Sequence, residues 1–173
     1  ELIRSTLRDV EAGPKTVRGS KQQPDAPTDS PLAGKRVLVA DDEQNIRQII
    51  CAILANHGCV CEGAKDGYQA TALLEQSDFD LVISDIKMPY RNGYEIFAAA
   101  RRQREDLPVL LMTGFGYDPH HSIVRASQEG LATVLFKPFE VKQLLAEVGK
   151  ALGVVVAVHR DDPAPVKKKP PTS

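Results

Sequence analysis

Five short apolar runs, spread through the middle of the chain and each broken off by a polar residue, constrain the fold more than any other feature. They are KRVLVA (Lys35 to Ala40), CVCEGA (Cys59 to Ala64), LVIS (Leu81 to Ser84), PVLLM (Pro108 to Met112) and TVLF (Thr133 to Phe136). Runs this short and this rich in β-favouring residues predict strands, most of them buried on both faces. Between them the apolar period changes to three and four. Ile46, Ile49, Ile50, Ile53 and Leu54 mark a helix from Gln44 to His57, with Gly58 as its cap. Ala70, Leu73 and Leu74 mark a second over Gly67 to Ser77. Ile96, Phe97 and Ala100 mark a third over Asn92 to Glu105, with Arg101, Arg102 and Arg104 on its wet side. A fourth is expected from about Ser122 to Glu129, closed by Gly130, and a fifth carries Val141, Leu144, Leu145, Val148 and Leu152. Strands alternating with helices require right-handed crossovers, and so predict an α/β fold: a doubly wound, five-stranded parallel sheet in three α/β/α layers.

In such a sheet every strand ends at one edge, where open α/β sheets bind their ligands. Asp41 and Asp42 follow the first strand, Asp85 ends the third, Thr113 the fourth and Lys137 the fifth. Pro89 stops the chain from continuing as sheet or helix, so Ile86 to Pro89 is a loop over that edge. Taken singly, Asp85 reads as a turn or capping aspartate, and Asp41 as a helix cap. Taken together, three converging carboxylates repel by about 4 kcal/mol per close pair at an effective dielectric of about 20. Lys137 supplies one compensating charge, and an oxygen-only ligand set with room for water suits magnesium. A carboxylate held beside a metal, a hydroxyl and an ammonium is a nucleophile for a phosphoryl group, and it needs no general base because it is already ionised at neutral pH.

The rest of the composition narrows the class. With 173 residues, 42% hydrophobic and 26% charged, the chain suits one soluble domain with extra chain at both ends. Its net charge of -1 gives no reason to invoke nucleic acid or membrane, and with neither a transmembrane run nor a leader pattern the expected location is cytoplasmic. Cys51, Cys59 and Cys61 lack zinc-type spacing and read as small core residues. Residues 1–34 divide into an amphipathic piece (Leu2, Ile3, Leu7, Val10) and a polar linker from about Gly13. The domain proper is expected at 35–153. Residues 154–173 form a C-terminal extension, apolar as far as Val158 and then a disordered tail. Glu1 in place of Met suggests a piece of something longer. His120 and His121 read as exposed loop residues.

Taken jointly, VLVADDE, LVISDIKMP, LLMTG and FKPF resemble the receiver domain of two-component response regulators, over about residues 34 to 153. The resemblance implies a flavodoxin-like sheet of order 2-1-3-4-5 and phosphorylation of Asp85 by a histidine kinase or phosphotransfer protein. It also implies magnesium held by Asp42, Asp85 and the backbone carbonyl of Lys87, with Asp41 supporting the metal through water or hydrogen bonds. Thr113 and Lys137 would engage the phosphoryl group, the Lys137-Pro138 bond would be cis, and a downstream protein partner would dock on the fourth helix, fifth strand and fifth helix. Such a domain is not an enzyme beyond its own phosphorylation and dephosphorylation. One departure is Val134, where the family often has an aromatic switch; Phe136, on the same strand face, is a substitute. Val134 motivates an alternative, a pseudo-receiver that docks proteins without being phosphorylated. A magnesium-dependent phosphatase is disfavoured, since Lys87 and not a second carboxylate stands two residues after Asp85. Without an output module after the fifth helix, the chain is expected to be a stand-alone receiver or the C-terminal receiver of a hybrid kinase.

Overall fold

Each apolar run folds as a strand: β1 Arg36–Ala40, β2 Val60–Ala64, β3 Leu81–Asp85, β4 Val109–Thr113 and β5 Thr133–Phe136. The computed structural model describes residues 29–114, 133–158, 160 and 162. All neighbouring strands are parallel, in the order β2-β1-β3-β4-β5, which is the expected flavodoxin-like sheet. Ala40 lies opposite Ser84, Asp85 opposite Met112 and Thr113 opposite Phe136. This register brings the residues that end or follow four strands to one edge.

Helices α1 Gln44–Asn56, α2 Gly67–Gln76 and α3 Gly93–Gln103, and the C-terminal helix Val141–Leu152, cover the sheet. The helix expected from Ser122, the loop with His120 and His121, and the amphipathic piece at the start lie outside the described residues. Alternation along the strands sorts side chains into two cores. Val37, Val39, Leu81, Ile83, Leu110 and Met112 pack with α1 and the C-terminal helix. On the other face Leu38, Ala40, Val82 and Leu111 pack with α2 and α3. Each fully buried aliphatic side chain contributes about 1.5–3 kcal/mol. The central strands β3 and β4 are buried at every residue, whereas β2 and β5 are partly open.

Local chemistry sets the helix ends. Asp66 caps α2 by accepting the Gln69 amide at 2.8 Å. Asn92 caps α3 rather than opening it: its side chain accepts the Tyr94 and Glu95 amides while Glu95 returns to the Asn92 amide, a reciprocal box worth about 1 kcal/mol. At the ends of α1 and the C-terminal helix, Gly58 and Gly153 take left-handed φ of 84° and 68°, where a side chain would be strained.

Both flanks join the core. Leu32, in the stretch read as linker, is fully buried. The turn holding it is tied down by the Gly34 amide donating to the Gly58 carbonyl at 2.8 Å. After the C-terminal helix, Val154 and Val156 pack on the α1 side of the core. Further on, Asp162 Oδ2 lies 3.1 Å from His57 Nε2, and both side chains are buried.

Candidate functional site

The central strand β3 delivers Asp85 to the carboxyl edge, and the backbone there is held from three sides. The Ile86 amide donates to the Met112 carbonyl at 2.9 Å and the Gly93 amide to the Ile86 carbonyl at 3.0 Å. At Gly93 itself a Cβ would lie 2.6 Å from the Asp85 carbonyl oxygen, so only glycine allows α3 to start this close. The Lys87 amide points back to Asp85 Oδ1 at 3.3 Å.

Lys137 reaches the same place from the end of β5. Its amide donates to the Thr113 carbonyl at 2.7 Å, and the Lys137-Pro138 bond is cis, as expected. Its ammonium bridges two carboxylates, with Nζ 2.6 Å from Asp41 Oδ2 and 2.9 Å from Asp85 Oδ2. Asp41 is wholly buried; its other oxygen accepts the Glu43 amide at 2.8 Å, and its carbonyl accepts the Arg47 guanidinium at 2.5 Å. Asp42 is exposed. Thr113 is buried at the tip of β4, with its hydroxyl 3.5 Å from the Gly114 carbonyl, the far limit of a hydrogen bond.

One oxygen from each of Asp41, Asp42 and Asp85 lies within 4.8 Å of the others. Three carboxylates therefore face one ammonium, and the donor set is entirely oxygen, which fits a hard divalent cation such as magnesium. Electrostatics point the same way. Burial raises the Asp41 pKa despite the opposing attraction of Lys137, and Asp85 pushes it further up. For Lys137, burial alone would lower the pKa, but the attraction of Asp41 and then Asp85 outweighs it and the value is raised.

All five side chains read from the sequence, those of Asp41, Asp42, Asp85, Thr113 and Lys137, thus end strands or follow them at this edge. Arg47 and Gly93 went unread. Arg47 carries the signal of a basic residue one turn into the helix that leaves the acidic pair, and Gly93 that of a glycine after a capping asparagine. Val134 is half-buried and packs on the α2 and α3 side of the core, while Phe136 is 58% exposed.

Sheet order and the acidic carboxyl edge together define a flavodoxin-like α/β protein whose chemistry centres on carboxylates. Within that class the chain belongs to the response regulator receiver domain family, whose model matches residues 37–149. The chemotaxis response regulator CheY4 of Vibrio cholerae is similar in structure, with a TM-score of 0.62 and 31% identity over 69% of this chain and 100% of CheY4. The transcriptional regulatory protein TcrA of Mycobacterium tuberculosis is 30% identical over 141 residues, 82% of this chain and 51% of TcrA. The DNA-binding transcriptional regulator NtrC of Rhizobium meliloti is 30% identical over 121 residues, 70% of this chain and 25% of NtrC. The chain thus spans between a quarter and a half of these two regulators. Among the described residues no helix is long and apolar enough to cross a membrane.

Proposed function

We propose that Asp85 accepts a phosphoryl group from the phosphohistidine of a histidine kinase or phosphotransfer protein, and that the phosphorylated domain changes its hold on a downstream protein. The observation that carries this reading is the Lys137 ammonium 2.9 Å from the Asp85 carboxylate at a buried sheet edge. An Asp85 oxygen attacks phosphorus, the P–N bond breaks, and the imidazole leaves with its electron pair. The acyl phosphate formed carries about -1.5 to -2 charge where one carboxylate charge stood, by analogy with other phosphoryl groups. Lys137 is placed to offset the added charge, and the Thr113 hydroxyl at the tip of the neighbouring strand is a neutral donor for a phosphoryl oxygen. Asp42, Asp85 and the Lys87 carbonyl would hold magnesium, with Asp41 behind them; when bound, the ion supplies positive charge to the equatorial phosphoryl oxygens.

Readout follows from which groups move. Drawing Thr113 and Lys137 inward displaces the ends of β4 and β5, so the partner face comprises the helix expected from Ser122, β5 and the C-terminal helix. A cleft of about 500 Å³ between β5 and the C-terminal helix, lined by Val134, Phe136, Lys142 and Ala146 among others, supports that choice. The domain acts in the cytoplasm, on proteins and not on membrane or nucleic acid, and turns over no substrate but its own phosphoryl group. Val134 favours a second reading, docking without phosphorylation. Incubation with acetyl phosphate and magnesium decides between them by intact mass. One phosphoryl group is expected on the native chain and none on Asp85→Asn; the same gain on both would remove Asp85 from its role, and none on either would favour the docking module.

A further inference from the structure

Away from the carboxyl edge, α1 lies over β2 so that residues one helical turn apart meet alternate residues of the strand. The Arg47 Cδ is 3.7 Å from where a Cβ on Gly63 would stand. One turn on, Cys51 stands opposite Cys61, two residues back along the strand: both pack against the same core, and each shifts the other's pKa. Both cysteines are half-buried, and β2 is the outermost strand on its side of the sheet. Cys59 differs: it is buried, its thiol donates to the Leu32 carbonyl at 3.6 Å, and burial pushes its pKa up to about 11.

We propose that Cys51 and Cys61 form a reversible redox pair, which a hydroperoxide oxidises to an intramolecular disulfide joining α1 to β2. The roles within the pair follow from its surroundings. The Cys51 pKa is lowered against the effect of burial by the neighbouring Cys61 and by the charge of Arg47, one turn before it on the same helix, whereas Cys61 is shifted up. Cys51 is therefore the attacking thiolate. Its sulfur takes the distal hydroperoxide oxygen, the O–O bond breaks, and the alcohol or water leaves with Cys51 as a sulfenic acid. The Cys61 sulfur then attacks the Cys51 sulfur, the S–O bond breaks, and hydroxide departs with the Cys61 proton as water. Two electrons pass from the thiols to the peroxide. In a reducing compartment such a bond is transient, so it serves sensing and not structure. None of this rests on the phosphoryl chemistry at Asp85.

Peptide mapping of the full chain after hydrogen peroxide, alkylation and trypsin tests the pair directly, because Gln48 to Lys65 is one tryptic peptide with all three cysteines. That peptide is expected to lose two hydrogens, to keep Cys59 as its single alkylated cysteine, and to recover fully with dithiothreitol. Cys59→Ala should still form the bond, while Cys51→Ala and Cys61→Ala should not. Alkylation of Cys51 or Cys61 beside a bond to Cys59, cross-linking only between chains, or no loss of hydrogens would overturn the proposal, and each of these outcomes can be read in the native chain without any variant.

Discussion

Two buried polar clusters lie at opposite ends of the sheet, and only the one at the carboxyl edge gathers three carboxylates around an ammonium. At the end of α1, one imidazole meets one carboxylate, His57 Nε2 against Asp162 Oδ2 at 3.1 Å. At the carboxyl edge, a single ammonium is shared by Asp41 and Asp85, with Asp42 alongside. The first fastens a late segment of chain to the domain. The second is left with surplus negative charge, an arrangement that costs stability unless a cation arrives. A site that gains by binding something is to be sought where the charges fail to cancel, and burial alone does not separate it from a structural pair.

The largest effect is expected from removing the shared cation. Lys137→Met leaves Asp41 and Asp85 together in a buried site, and should cost about 3–5 kcal/mol in urea unfolding, with part of the loss recovered on adding magnesium. An unchanged midpoint would mean that the ammonium does not hold the carboxylates in solution. Titration approaches the same contact without mutation. The folded-state pKa of Lys137 lies above its ordinary 10.5, so its contribution is fully present below that pH and is lost as pH rises through the higher folded value. A urea midpoint that falls in this alkaline window in the native chain, and falls less in Lys137→Met, is the expected result.

Next in size is Asp42→Ala. It removes one surplus negative charge at an exposed position, so the metal-free fold should be as stable as the native chain or more stable, by up to about 1 kcal/mol. The stabilisation by magnesium should disappear. Retained magnesium affinity by calorimetry would take Asp42 out of the ligand set. The smallest effect belongs to the other end. Asp162→Ala should cost about 1 kcal/mol, the net contribution of a typical intramolecular hydrogen bond. A loss as large as that of Lys137→Met would erase the distinction between the two clusters.

These clusters also mark how far the sequence could be read. The parallel layers and the convergence of Asp41, Asp85 and Lys137 were legible because period-two and period-three-to-four patterns fix the layers, and parallel connection then fixes the edge, whereas the strand order came from the resemblance to receiver domains. The sharing of one ammonium by two carboxylates was not, since it depends on side-chain reach across β3 and β1. His57 with Asp162, and Leu32 within a polar tract, carry no periodicity at all: each is a single residue whose partner is set by where the chain happens to pass. Cys51 and Cys61 read as core residues because composition reports how apolar a side chain is, and not which thiol faces which. At the helix ends the errors were of one or two residues, as at Asn92, where a cap was counted as the first helical turn.

Gly93 separates what this site can change from what it cannot. The start of α3 lies so close to the end of β3 that a would-be Cβ on Gly93 stands 2.6 Å from the carbonyl of Asp85, so the position of residue 85 is dictated by main chain and not by its own side chain. Its functional group is in that sense a replaceable fitting on a fixed mount. Asparagine, glutamate or cysteine at 85 would inherit the same backbone placement, and a difference in their reactivity could be ascribed to the group itself. A methyl at 93 would move the mount and every fitting with it.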